Sequence, residues 1–231
     1  MNKDEILQRI KGGLIVSCQA LEEEPLHSSY IMSKMAYAAM LGGAVGIRAN
    51  SGQDIRAIKE TVDLPIIGIS KVVYGDCPVF ITPTIREVKE VVEAGAHIVA
   101  LDATDRLRPD RLTLGEFVNE IRKQFPNIIL MGDVSKLSEG IECEKLGFDL
   151  IGTTLSGYTE DTKGKKLPDF TLMKELNEKL STPIIAEGGI WTPEDLKRAF
   201  DTGVYAAVVG TAITRPMEIT KRFVKAINNF D

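Results

Sequence analysis

Two residues of opposite sign carry the chemistry most visible in this sequence. Lys71 follows the apolar run at 65–69 with only Ser70 between them, and Glu187 ends the run at 183–186 just ahead of Gly188-Gly189. A lysine held low in a partly dehydrated mouth, near a second cation such as Arg48, has its pKa lowered by burial and like charge. Its neutral amine can act as a general base or form a Schiff base with a carbonyl. A carboxylate in the position of Glu187 can relay a proton or hold the lysine in place. Other apolar runs also finish on polar residues, at Gln19, Arg48, Asp102, Asp133 and Thr153-Thr154. Such residues, gathered at a similar depth around one rim, surround a common cavity.

The last two loops suggest an anion. Gly188-Gly189 leads to a helix start at Thr192-Pro193, and Gly210-Thr211 leads toward Arg215-Pro216. Glycines let backbone N–H groups approach a phosphate, helix N-termini favour negative charge, and Arg215 can add a charge-assisted contact. A metal is not expected. The histidines are His27, in a loop, and His97, at the wrong end of a strand, and no pair of aspartates has ligand spacing. Cys18, beside Gln19, has no histidine base in view and reads as a small buried thiol.

The elements that must position these groups alternate from end to end. Short apolar runs stand at 14–17, 44–47, 65–69, 97–101, 127–130, 148–151, 183–186 and 206–209. Apolar residues at successive rather than alternate positions fit parallel strands buried on both faces. Amphipathic stretches lie between them. Thr84 with Glu87, and Thr113 with Glu116, are capping boxes, while Thr192-Pro193 and Pro216 mark further helix starts. Gly95, Gly147 and Gly203 stand where helices should stop. Eight strand–helix units predict a (β/α)8 TIM barrel over 1–231 as a single domain, with an extra N-terminal helix in the first dozen or so residues. A doubly wound open sheet lacks its glycine fingerprint here, since no G-x-G-x-x-G follows the first strand.

Composition bounds the function classes. The 231 residues are 44% hydrophobic and carry a net charge of -5, enough to fill a core and without the basic stripe of a nucleic-acid binder. No segment approaches a membrane span, and the charged start lacks the apolar stretch of a signal peptide. Three cysteines make no disulfide framework, so a reducing cytoplasm fits.

Several stretches resemble the N-acetylmannosamine-6-phosphate 2-epimerase family, in order along nearly the whole chain. They include Leu14 to Ala20, Gly46-Ile47-Arg48-Ala49-Asn50, Gly68-Ile69-Ser70-Lys71 and Ile81-Thr82-Pro83-Thr84. Further along come Ala100 to Thr104, Gly152 to Thr159 and Ile185-Ala186-Glu187-Gly188. The resemblance implies epimerisation at C2 between N-acetylmannosamine 6-phosphate and N-acetylglucosamine 6-phosphate, a step of sialic acid catabolism. It implies a barrel, no cofactor, no metal and a homodimer. By family pattern Lys71 is the proton-transferring base and Glu187 its partner, with Gln19, Arg48, Asp133 and Thr153 binding substrate. Gly188, Gly189, Gly210, Thr211 and Arg215 then face the phosphate. Val72-Val73 departs from the charged pair that follows the lysine in many relatives. From the residues alone, a Schiff-base lyase using Lys71 and a non-catalytic sugar-phosphate-binding barrel also fit.

Overall fold

Helix α1 (Lys3–Ile10) opens on a capping box in which Asn2 and Glu5 satisfy each other's backbone N–H groups. It is the extra N-terminal helix, and it turns Ile6 and Ile10 toward the lower end of the strands as a floor. In the computed structural model, which describes residues 1–228, eight strands then close on themselves in sequence order. They are β1 (Leu14–Cys18), β2 (Gly46–Asn50), β3 (Ile66–Ile69), β4 (Ile98–Asp102), β5 (Ile129–Asp133), β6 (Leu150–Gly152), β7 (Ile184–Glu187) and β8 (Ala206–Val209). Every neighbouring pair, including β1 with β8, is parallel, which completes a (β/α)8 barrel.

The helices of the outer ring are α2 (Ser29–Leu41), α3 (Gly52–Lys59), α4 (Ile85–Glu93), α5 (Leu114–Gln124), α6 (Leu137–Lys145), α7 (Phe170–Lys179) and α8 (Pro193–Asp201). The expected starts are present: Thr84 and Thr113 form their capping boxes, and Thr192 caps α8 with Pro193 at its first position. Gly95, Gly147 and Gly203 stand just past α4, α6 and α8 with φ of 92°, 76° and 92°, the left-handed conformation that ends a helix. After β8 come a four-residue helix, α9 (Thr211–Thr214), and then α10 (Pro216–Asn228), which starts at the expected proline.

Side chains alternate across each strand, so two cores form. Ile15, Ile67, Ile69, Ile98, Ala100, Ile129, Met131, Leu150, Ile185 and Val208 fill the barrel interior above Ile6 and Ile10. Ile47, Ala49, Val99, Leu101, Leu130, Ile151, Ile184 and Ala207 face the helices. Strands β2, β5 and β6 begin two residues later than their apolar runs. Around β2, Ala44 still belongs to the end of α2, its N–H donating to Ala39 O, and the strand instead continues through Arg48 to Asn50. A buried arginine extends this strand because it has partners inside the barrel.

Candidate active site

The interior alternation also decides which polar residues look inward. Arg48 in β2, Asp133 in β5 and Glu187 in β7 all have inward parity, and they meet above the isoleucine layer. Arg48 Nη1 donates to Asp133 Oδ1 at 3.1 Å and to Glu187 Oε2 at 2.9 Å, while Nη2 donates to Asp133 Oδ2 at 2.6 Å. Arg48 and Asp133 are 1% and 0% exposed, Glu187 14%. Thr154 Oγ1 donates to Asp133 Oδ1 at 2.6 Å, and Gly152 leaves room beneath it, since a Cβ there would lie 3.1 Å from Thr154 Oγ1 and 3.2 Å from Asp133 Oδ1.

These residues do not share one depth. Arg48 sits in the middle of its strand and Lys71 two residues beyond the end of β3. Arg48 and Asp133 therefore form a closed layer beneath a cavity of about 330 Å³, which Lys71 and Glu187 line from above. The expectation of a single rim at uniform depth is corrected accordingly. In a staggered barrel, equal distance along the chain is not equal height along the axis. Thr153 has outward parity. Its Oγ1 donates to Glu187 O at 2.8 Å and accepts from Glu187 N–H at 3.0 Å, which fixes the glutamate's main chain, and its neighbour Thr154 takes the place on the cavity wall.

Charge balance at this point is uneven. Burial pulls the Arg48 guanidinium down, but the Asp133 and Glu187 carboxylates outweigh it and hold the charge above its ordinary range. Burial, helped by the negative charge of Asp133 and opposed by Arg48, pushes Glu187 up to about 7. Burial first, then Arg48 and Arg215, pulls Lys71 down to about 8 against the opposing Glu187 and Asp133. The carboxylates are taken by Arg48, and Lys71 stands in no ion pair among the described residues. One group that can lose a proton and one that can hold one thus face the same space near neutrality.

The rest of the wall comes from loops. Gln19, Gly188, Gly189, Gly210, Thr211 and Arg215 all line the cavity, together with Glu24, Tyr158 and Trp191. Gln19 Nε2 donates to Ser17 Oγ at 2.7 Å, which leaves its Oε1 buried without a partner and open to a donor. Gly188 and Gly189 have φ of 111° and 71°, and a Cβ on Gly189 would come 2.4 Å from that of Leu167. Arg215 Nε donates to Glu24 Oε2 at 2.9 Å, so one edge of the guanidinium is fixed. Against the cost of its burial, this bond and the Leu21 N–H hold Glu24 below the usual carboxylate range. Thr214 Oγ1 donates to Ser17 O at 2.7 Å and ties α9 to β1.

Other candidates lie elsewhere. Asp102, the last residue of β4, is buried and taken up by the loop that follows, accepting from Thr104 and pairing with Arg106 at 2.7 Å. Burial, with Asp54 adding, pushes the Cys18 thiol up to about 12. His97 sits at the floor end, where its Nδ1 accepts the Ile66 N–H at 3.1 Å. Among the described residues no group of three or more histidines, cysteines, aspartates and glutamates is placed to hold a metal ion.

Fold and site together define a (β/α)8-barrel protein in which a lysine and a glutamate share one cavity at the carboxyl ends of the strands, beside glycine-bearing loops and an arginine. Comparison with known proteins sharpens this. The chain belongs to the family whose model is described as "Putative N-acetylmannosamine-6-phosphate epimerase", which matches residues 32–229. It is 57% identical over 223 residues to the protein named "Putative N-acetylmannosamine-6-phosphate 2-epimerase" in Caldanaerobacter subterraneus subsp. tengcongensis, covering 96% of this chain and 94% of that one. It is 58% identical over 223 residues to the protein of the same name in Listeria welshimeri, with the same coverage. The solved N-acetylmannosamine-6-phosphate 2-epimerase from Clostridium perfringens superposes with a TM-score of 0.91 at 52% identity, covering 95% of each chain. A thiamine phosphate pyrophosphorylase from Pyrococcus furiosus, at 19% identity and a TM-score of 0.62 over 90% of this chain and 89% of that one, shares the fold alone.

Proposed function

We propose that this chain interconverts N-acetylmannosamine 6-phosphate and N-acetylglucosamine 6-phosphate by proton transfer at C2. The observation that carries this reading is the half-buried Lys71 amine, in no ion pair among the described residues, beside Glu187 on one cavity. Inverting C2 requires removing a proton α to the C1 carbonyl of the opened sugar and returning one to the opposite face. Lys71 takes the C2 proton in its neutral form, and the electron pair moves onto the C1 oxygen. The ammonium so formed on Lys71 stabilises that oxygen and returns a proton to the opposite face of C2. Glu187, a carboxylate at the pH where Lys71 is neutral, offsets the ammonium's charge and is oriented from below by Arg48. Gln19 receives a substrate donor on its free Oε1. Gly188, Gly189, Gly210, Thr211 and Arg215 hold the 6-phosphate. Arg48, Asp133 and Thr153 act one layer behind the sugar, as the support of Glu187. The reaction needs no redox cofactor, and residues 1–231 work as one domain.

Turnover in D₂O, followed by NMR, tests the assignment. Deuterium should enter C2 of the product, since an amine exchanges its protons with solvent. Borohydride in the presence of substrate should leave Lys71 unmodified, and a trapped adduct of substrate mass would establish a Schiff-base lyase instead.

The same reading makes the protein a cytoplasmic homodimer. Among the described residues α10 buries none of its own, leaving Phe223, Val224 and Ile227 exposed. Tyr30, Tyr37 and Leu41 form a second exposed stripe along α2 at helical spacing. Two unpartnered apolar faces on one chain suit a two-fold partner. Phe223→Glu should shift the sedimenting species from dimer toward monomer; an unchanged mass would remove α10 from the interface.

A further inference from the structure

Lys71 lies beyond the end of β3, so the barrel ladder does not hold its main chain. Three contacts do. Its own N–H donates to Asn50 Oδ1, at the end of β2, at 2.8 Å. Across the other side it bridges Ile81 in antiparallel fashion, and the next N–H, of Val72, donates to Phe80 O at 3.0 Å. The residue before it, Ser70, donates its N–H to Thr82 Oγ1 at 3.3 Å and its hydroxyl to Glu90 Oε2 at 3.0 Å.

Thr82 is a β-branched residue at φ 46°, fully buried, a conformation that persists only where its surroundings over-determine it. Its Oγ1 also donates to Ala100 O at 2.6 Å, its N–H donates to Ser70 O at 2.8 Å, and the buried Arg108 donates to Pro83 O at 3.0 Å behind it. That side of the lysine is therefore braced by β4 and its loop. On the β2 side a single side-chain oxygen does the corresponding job. Asn50 itself does not line the cavity.

Building on the assignment of Lys71 as the base, we propose that Asn50 is its positioning residue, the side chain that sets where the amine stands over Glu187. A long flexible side chain can place its amine only as well as its Cα is placed, and displacement of a reacting group by about 1 Å can cost up to about a hundredfold in rate. The amine faces Arg48 from β2, Asp133 from β5, Glu187 from β7, Glu24 from the β1 loop and Arg215 after α9. Its environment therefore changes with small movements.

The test compares Asn50→Ala, Asn50→Asp and Lys71→Ala in the full chain, measuring kcat and KM for N-acetylmannosamine 6-phosphate across neutral and alkaline pH, with melting temperatures alongside. Asn50→Ala should lower the plateau kcat roughly tenfold or more with KM unchanged. The acid limb of the profile should move to higher pH as the amine gains water. Asn50→Asp restores the acceptor for the Lys71 N–H, so its plateau kcat should recover, while its added negative charge keeps the limb at higher pH. A wild-type kcat in Asn50→Ala, with Lys71→Ala crippled, overturns the inference and leaves the base assignment standing. So does a fall in kcat that merely follows the melting temperature, with the limb unmoved and no recovery in Asn50→Asp. Wild-type turnover by Lys71→Ala would instead remove the base assignment, and the role of Asn50 with it.

Discussion

The two ends of this barrel are built from the same strands to opposite standards. At the floor, α1 presses Ile6 and Ile10 against the isoleucine layer, Tyr205 donates its hydroxyl to Leu7 O at 2.9 Å, and His97 accepts a backbone N–H. At the mouth, among the described residues, Arg48 Nε and Gln19 Oε1 are buried without partners, Lys71 stands in no ion pair, and Glu187 is held near 7. The floor satisfies its polar groups and contributes stability. The mouth leaves some unsatisfied and positions chemistry, so substitutions at the two ends should separate activity from stability.

The sharpest separation is Lys71→Ala. It should cripple epimerisation and C2 exchange alike, a loss of about 10²–10⁴-fold from removing the base, while the melting temperature stays near wild type. Wild-type exchange would pass the role to Glu187. Next comes Asp133→Ala, which should cost about 3–5 kcal/mol because it strands Arg48 as a buried, half-compensated charge. Denaturant titration measures it, and a smaller cost would mean that Glu187 alone satisfies the guanidinium. At the floor, Ile10→Ala should cost about 2–5 kcal/mol through cavity formation, with kcat/KM unchanged. A fall in kcat/KM there would show that the two ends are coupled.

Smaller effects resolve detail within the mouth. Arg215→Ala should lose about 1.5–3 kcal/mol of transition-state binding, tenfold or more in kcat/KM for the phosphorylated sugar. Equal turnover of free N-acetylmannosamine by the wild type would undo that assignment. The pH profile should show an acid limb near 8. Lys71 must be neutral to act, its pKa is lowered to about 8, and activity therefore falls as pH drops through that value and the ammonium forms. A limb near the ordinary lysine range would mean that the amine is solvated.

Much of this was legible in the sequence, for reasons particular residues make clear. The eight apolar runs are double-buried strands, and the threonine caps and post-helix glycines mark their helices. Lys71, Glu187 and the paired glycines stood out because each ends an apolar run abruptly. The depth of Arg48 was hidden because the stagger of a closed barrel is a property of all eight strands at once. Thr153 and Thr154 were separable by parity alone: Leu150 and Gly152 face inward, so 153 faces out. Glu24, in a run of three glutamates, reads as solvated charge until Arg215, 191 residues later in the chain, is folded against it. Asn50 carries no signal of its own, since the N–H it accepts lies 21 residues on.

The inward place of Arg48 in the middle of β2 bears on how this protein can change over evolutionary time. Deleting or inserting one residue ahead of it within that strand would exchange the two faces, sending the guanidinium among the helices and Ile47 or Ala49 toward Asp133. The loops above β1, β6 and β8 face no such arithmetic, because adding a residue there reverses no alternation. Descendants of this chain are therefore free to vary the wall that meets the sugar and its phosphate, while strand lengths stay frozen beneath it. New substrate preferences should arise by loop insertion, and single-residue indels within β2, β5 or β7 should be absent from working relatives.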